Sequence, residues 1–379
     1  MIVATSVTID GVAIDLAEVF ADVTIRHGRT GFFDEAQAST CQLTLLDVER
    51  AFTRPFRLGS SLVVNVREDG GPEKPRFVGR FTDAGLAIND LTAIAVGRLA
   101  TLSGYTIATA DYPEEAWSAR VTRAFTDAGL AAYLVLQPPA APAIDPVLVA
   151  RPADPTTLAD YLSALADMIG AAVADTPDGK VLVQAIASRA LHPAFVLDPE
   201  LVEYAPSWSQ VLPNANVVTL TYGDPAADPV ASYTASDAAS VALYGPIPRQ
   251  VSTTIKNAAD AQAVALTILA RQSYAHWSIP EAPLLAGVTI AIGAPCSLTD
   301  MPDASPFDPW TPICEGWQDS ITAGNGELEW RQELTLSDPL LSGLVLPWSD
   351  VPATAAYHWN TINQTVAWRD ALTLDSLAP

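Results

Sequence analysis

Arg26, His27, Gly28 and Arg29 place two guanidinium groups and an imidazole around a glycine, in a chain whose formal net charge is -23. Such a cluster suits two kinds of chemistry, gripping a phosphate or moving a proton at a catalytic corner. A phosphate site wants glycines that lead into a helix N-terminus, where backbone N–H groups point at the anion. The segment "RHGRTGFF" instead closes a strand and opens a loop that runs to Thr40, where the alternating "TCQLTLLD" begins another strand. The arginines are therefore expected to pair with local acids or with a neighbouring subunit, and not to form a catalytic corner.

The other reactive side chains carry less information. His27, His192, His276 and His358 lie far apart, and none sits in a His-Glu-x-x-His pair or beside a Cys-x-x-Cys knuckle, so each is read as structural. There is no Gly-x-Ser-x-Gly elbow and no phosphate-binding loop, and the Gly-x-Gly of "AGNGELEW" lies inside a hairpin signal. Among 43 acidic residues the pairs Glu114-Glu115 and Glu327/Glu329 say little about glycoside hydrolysis, and the second pair is expected to face solvent. Cys41, Cys296 and Cys314 are an odd set that builds no disulfide framework; Cys41 is expected as a small buried hydrophobe, and pairing of Cys296 with Cys314 stays open. No catalytic, cofactor-binding or metal-ligating residue is assigned, and no cofactor is expected. A hydrolase whose triad forms only in space remains the lesser alternative.

Composition narrows the class. With 379 residues the chain exceeds what one core organises, about 250–300 residues, so two or three domains are expected. The 49% apolar and 17% charged content, with 30 prolines and 21 glycines, fits a turn-rich folded protein. No stretch approaches the roughly 18 apolar residues of a membrane span, and the start "MIVATSVTIDGVAIDL" lacks the marks of a signal peptide, so synthesis in the cytosol without stable membrane association is expected. The 43 acidic against 20 basic side chains repel phosphate, which excludes gripping nucleic acid but not its passage past an acidic wall.

These side chains sit on a β-rich frame. "SVTIDGVAIDL" is a hairpin around Asp10-Gly11, and "ADVTIRHG" puts Val23, Ile25 and His27 on one face with Asp22, Thr24 and Arg26 on the other. Cys41, Leu43 and Leu45 point inward in the next strand, and two more follow around Asp69–Pro72. Near Gly104 the pattern changes to "PEEAWSARVTRAFTDAG", a helix with Pro113 and two glutamates at its start and Gly129 past its end. In "DPTTLADYLSALADMIG" Leu158, Tyr161, Leu162, Leu165, Met168 and Ile169 recur at helical spacing, with Gly170 as the stop and a hairpin over Asp178-Gly179 beyond it. Strands resume at "NANVVTLTYGD". Asn257 caps a second helix with Ala261, Val264, Ala265, Ile268 and Leu269 on its apolar stripe, and a hairpin over Asn325-Gly326 closes the pattern.

The expected organisation is a first β-barrel over 1–103, an α+β insertion over 104–205, a second barrel over 206–338 with a helical insert around 236–280, and an extended C-terminal arm over 339–379. In the arm, Trp348, Trp359 and Trp368 are spaced by 11 and 9 residues, which suits neither a helix nor a strand. Three readings stand: a tail folded back on its own domain, a disordered tail, or an arm whose Trp348, Tyr357, Trp359 and Trp368 anchor on a neighbouring subunit, since large aromatics dominate many interfaces.

In order and pattern, "ADVTIRHGRTGFFDEAQASTCQLTLLD", the Asp-x-x-Ser-x-x-x-Tyr-Gly turn before the alanine-rich helix of "YTASDAASVALYGPIPRQVSTTIKNAADAQAVALTILAR", and the ending "EGWQDSITAGNGELEWRQELTLSD" resemble the baseplate hub proteins of tailed phages and contractile injection machines. The trailing "WNTINQTVAW" is similar to minor tail proteins of actinobacterial phages. The resemblance implies a mainly β fold of two tail-tube-like β-barrel domains with small α+β insertions, and a non-enzymatic, homotrimeric ring at the virion tail tip, assembled in the host cytoplasm. Its implied partners are the distal tail protein or tail tube, the tape measure and tip or fibre proteins, with DNA present only in passage. No C-terminal peptidase or lysozyme-like domain is recognisable, so wall cutting is expected of a partner. The alternative is a carbohydrate- or receptor-binding tail-tip module.

Overall fold

Period-two alternation in the first hundred residues becomes seven strands in the computed structural model, which describes residues 2–14, 20–29, 36–46, 57–68, 71–86, 90–139, 143–185, 188, 195–197, 202, 209–226, 229–285, 287–298, 312–324 and 327–337. They are β1 (Ile2–Ile9), β2 (Val12–Ile14), β3 (Phe20–Gly28), β4 (Thr40–Leu46), β5 (Ser61–Glu68), β6 (Glu73–Leu86) and β7 (Asp90–Val96). Asp10 and Gly11 take positive φ angles of 47° and 80°, which lets two residues link β1 to β2 in register. The inward phase is largely apolar: Val23 and Ile25, Cys41, Leu43 and Leu45, Leu62 and Val64, Leu91 and Ala93 are all buried together.

Among the described residues eleven strands form one antiparallel sheet that runs through both β regions of the chain. From one edge come Ser209–Val211, His276–Leu284, Glu327–Ser337 and Ile313–Gly324, then β3, β4, β7, β6, β5, β1 and β2. The join is the ladder between Ile313–Gly324 and β3, running from Gly316 opposite Gly28 to Ala323 opposite Ala21. Ile321, Ala323 and Trp330 of the last hairpin complete the core of the first β region, while Trp317, Cys314, Leu334 and Leu336 pack with Ile279, Leu284 and Ile290 in a second core. Gly324 lies opposite Glu327, the spacing expected of a two-residue turn, although Asn325 and Gly326 themselves fall outside the described residues.

The helices form where the apolar period changes from two to 3.6. They are α1 (Trp117–Asp127), α2 (Leu158–Ile169), α3 (Ala238–Tyr244) and α4 (Ala258–Gln272). Thr157 and Asn257 cap α2 and α4 by accepting from the N–H groups of Asp160 and Asp260, at 3.1 and 2.8 Å. The two glutamates expected at the start of α1 lie just before it. Glu115 pairs with Arg120 and Arg123, and the helix N-terminus is satisfied by Asp145, which accepts from Ser118 N at 3.0 Å. Asp237 caps α3 by accepting from the N–H groups of Ala239 and Ser240, so the Asp-x-x-Ser pattern is a helix start.

Residues 215–269 share their core with the insertion. The strands Val217–Tyr222, Ala231–Ser236 and Pro248–Val251 form a separate three-stranded sheet, and Val218 and Leu220 pack with Ala261, Val264 and Ile268 of α4 into the cluster that holds Trp117, Leu162 and Val181. No helix of the described residues is long and apolar enough to cross a membrane.

Candidate functional site

The join between β3 and Ile313–Gly324 is where the Arg-His-Gly-Arg segment lies, and a seam of buried polar groups is built around it. Gly28 has φ +79°, and a Cβ added there would meet Glu315 O at 2.2 Å; one on Gly316 would meet His27 O at 2.4 Å. The two backbones therefore approach more closely than any side chain permits, and Arg29 N donates to Glu315 O at 3.0 Å. Turning in at that point, Arg29 Nη2 reaches Glu315 Oε2 at 2.8 Å, and Ser337 Oγ donates to Glu315 Oε1 at 2.5 Å. Glu315 is 0% exposed.

Further along the same strand, Asp319 binds Arg76 of β6 in a forked pair, Nε to Oδ2 at 2.7 Å and Nη2 to Oδ1 at 3.0 Å, with both side chains at most 2% exposed. Trp330 Nε1 donates to the same Oδ1 at 3.2 Å. The guanidinium lies 4.7 Å from the centroid of the Trp317 ring and 5.9 Å from that of Trp330. Planar Arg suits this place, because it donates in plane to the carboxylate and offers its face to the rings.

His27 ties the Arg76 backbone to Ser39. Its Nε2 lies 2.7 Å from Arg76 O, and since a carbonyl only accepts, Nε2 carries the proton. Nδ1 then accepts from Ser39 Oγ at 2.6 Å. The Ser39–His27 contact has the outline of a nucleophile and its base. Yet both residues are 2% exposed, the imidazole proton is spent on a carbonyl, and burial, with the nearby Arg76 charge adding, pushes the His27 pKa down to about 3. So weak a base takes no proton from a hydroxyl near neutral pH. The described grooves lie elsewhere, beside α1 and α4. The arrangement locks strands together.

Acid titration follows from the buried imidazole. In an unfolded chain the ring titrates near 6.5, so its contribution to stability is complete above about that pH and is lost as pH falls toward 3. Below about pH 6.5 this group alone lowers stability with a slope approaching 1.4 kcal/mol per pH unit. Urea midpoints measured across this range should fall less steeply for His27→Gln than for the unaltered chain.

The outcomes for the residues singled out in the sequence are uneven. Arg29 pairs with an acid, but Glu315 is 286 positions away, not local, and outward-facing Arg26 donates to neutral Gln318 at 2.7 Å. His27 is structural, as expected, and His276 is buried. Cys41, Cys296 and Cys314 are buried free thiols, and burial pushes the thiol of Cys296 up to about 12. Glu329 is exposed and pairs with Arg331. Trp348, Tyr357, Trp359 and Trp368, like His192, His358 and "WNTINQTVAW", lie outside the described residues.

Sequence reading missed Arg76, Glu315 and Asp319. For Asp319 a signal existed: it falls in phase with Trp317, Ile321 and Ala323, an acid on the apolar face of a strand. Arg76 had none, because a bulge opposite Val64 and Asn65 breaks the alternation of β6 beside it.

No family model matches the chain, and no curated protein does. Solved structures do. A tail protein from Neisseria meningitidis matches with TM-score 0.60 at 15% identity, over 89% of this chain and 98% of that one. The 43 kDa tail protein of prophage MuSo2 from Shewanella oneidensis gives 0.57 at 10% identity, over 89% and 99%. An E. coli component of the type VI secretion system, with structural similarity to T4 bacteriophage tail proteins gp27 and gp5, gives 0.51 at 9% identity, over 87% and 76%. The sheet that crosses both β regions, with helical insertions between its strands, is thus the fold of phage tail proteins and of a type VI secretion component.

Proposed function

We propose that this chain is a structural hub of a phage-type tail tip, three copies of which close a ring that joins the tail tube to the tip. The observation that carries the reading is the single sheet through both β regions, sealed by the buried seam, in a fold shared over nearly the whole length of known tail proteins. A part that transmits load between tube and tip needs its two β regions fixed in one orientation, and the Arg76–Asp319 and Arg29–Glu315 pairs supply that fixity. In this reading 1–103 and 206–338 supply the two tube-like barrels, with 215–269 as the inserted part of the second region, packed with the insertion over 104–205. The short edge strands Val12–Ile14 and Ser209–Val211 become contacts between copies, which removes open edges that otherwise invite aggregation. Part of the acidic surplus faces the channel, where repulsion keeps passing DNA from sticking. The role in this reading is structural, at the virion tip.

Mass photometry and electron microscopy of the purified chain, alone and in reconstituted tails, test the ring. Threefold particles with an axial channel are expected; monomers at every concentration, with no ring in reconstituted tails, overturn the reading. For the arm, replacing Trp359 and Trp368 together with alanine should leave the melting temperature unchanged and weaken capture of a neighbouring tail component by at least ~2 kcal/mol per anchor. Undiminished capture in a quantitative pull-down would reject the role given to Trp348, Tyr357, Trp359 and Trp368 as anchors.

A further inference from the structure

The strand Leu134–Gln137 is covered on both faces and has a neighbour on only one edge. It pairs in parallel with Val181–Gln184, whose other side is taken by Ala172–Asp175, and no further strand of the described residues lies beside it. Leu134 and Leu136 pack against the core that holds Trp117 and Leu162, and Val135 packs against the one that holds Trp317 and Leu334. Parallel strands are commonly covered in this way, but here the cover flanks an open row of backbone groups. Gln137 O accepts from Ala185 N at 2.9 Å on the paired side, so by the alternation of the ladder the N–H and C=O of Leu136 turn to the open side. Along that side runs an open groove of about 610 Å³, with Leu136 and Pro138 on one flank and Ser118, Ala119, Thr122 and Thr126 of α1 on the other. The helical flank is small throughout. Its threonine hydroxyls donate to helix carbonyls, Thr122 to Ser118 O at 3.0 Å and Thr126 to Thr122 O at 2.8 Å, which leaves methyl surface and oxygen lone pairs for an occupant. The charge of Glu115 beside them is answered by Arg120 and Arg123.

We propose that this groove takes residues 361–368 of a second copy of the chain, which pair with the open edge of Leu134–Gln137 as a fourth strand of its sheet. A free edge supplies the main-chain hydrogen bonds of such an addition, and the walls beside it select the side chains. The groove calls for an extended, uncharged segment with one small phase that donates hydrogen bonds. In "TINQTVAW" no residue is charged, Thr361, Asn363, Thr365 and Ala367 make one small phase, and Ile362, Val366 and Trp368 fall in the other. The β-branched Thr361, Ile362, Thr365 and Val366 favour an extended backbone. In the docked strand the small phase lies beneath α1, where the Thr and Asn side chains donate to the Thr122 and Thr126 oxygens, and the apolar phase continues the face of Val135. The arm's acids, Asp350, Asp370 and Asp375, stand outside this stretch and bring no charge into the groove. Fully extended, the chain between Ser337 and Thr361 reaches about 80 Å, enough to cross to another copy. The choice of a second copy rests on the hub reading, in which the arm anchors on a neighbouring subunit.

Crosslinking of co-expressed full-length chains reads the docking. One chain carries Thr122→Cys on exposed α1 surface and the other Thr365→Cys in the arm, and a short bismaleimide joins the two thiols, while Cys41, Cys296 and Cys314 stay buried. A covalent dimer is expected. Moving the first cysteine to exposed Thr82 of β6 should lower its yield at least about tenfold, since only docking raises the local concentration of the two thiols. Asn363→Pro together with Val366→Pro, one in each phase, removes a ladder N–H whichever phase turns toward the strand, and should lower the yield as far. A yield no greater than at Thr82, a yield indifferent to the two prolines, or a link that forms only within single chains carrying both cysteines overturns the docking. Mass photometry of the same samples scores the ring: rings without the link reject this docking and leave the hub standing, and absence of both rejects the two together.

Discussion

Asp319→Ala should lower the stability of the sheet junction by about 3–5 kcal/mol, the cost of leaving one partner of a buried ion pair unpaired. The charge stranded would be Arg76, at most 2% exposed and with Nε and Nη2 both committed to Asp319. Trp330 would lose the acceptor of its indole N–H in the same step. Denaturation followed by tryptophan fluorescence suits the test, because Trp317 and Trp330 flank the pair. Arg76→Met combined with Asp319→Leu should recover part of the loss, since two apolar residues of similar volume need no partner, while the Trp330 indole N–H stays without the acceptor that Asp319 gives it. A loss below about 1 kcal/mol for Asp319→Ala would mean that water or a rearranged neighbour replaces the carboxylate, contrary to the sealed geometry.

Gly28→Ala should be comparably damaging for a different reason. The residue sits at φ +79°, which costs an L-residue about 1–2 kcal/mol, and the new methyl would stand 2.2 Å from Glu315 O and 2.6 Å from Gly316 Cα. Both obstacles are backbone, so relief requires the β3 ladder to part at that rung. Overpacking adds about 1–3 kcal/mol, for a total of roughly 3 kcal/mol or more. Gly129→Ala is the matched control, because its φ of +70° carries the same strain while no atom lies within 4 Å. The expected result is a large fall in melting temperature for Gly28→Ala and a small one for Gly129→Ala. Equal falls would show that backbone strain alone acts and that the close approach of Gly28 to Gly316 is unimportant.

Much of the local structure was legible because it depends on neighbours in sequence. The Asp10-Gly11 turn, the cap at Asn257, the stop at Gly170 and the inward phase of Cys41, Leu43 and Leu45 all rest on periods of two or 3.6 and on residues that tolerate particular backbone angles. The clustering of Ala261, Val264, Ala265, Ile268 and Leu269 was readable on the same ground. The place of His27 on the inward face of its strand, beside Val23 and Ile25, was readable in the same way.

The pairing of distant segments lay beyond that kind of reading. Local alternation says which face a residue takes and nothing about which strand lies beside it, so β3 gave no sign that its neighbour would be Ile313–Gly324, far away in the sequence. The partners of Arg29 and Arg76 followed from that pairing, as did the packing of Val218 and Leu220 against α4 in the core of the insertion. Composition and period determined a β-rich chain with helical inserts, and a buried seam was latent in an acid on an apolar face. Only the tertiary structure decided which charges meet, because charge pairing depends on distances of a few ångström that chain topology, rather than sequence spacing, creates.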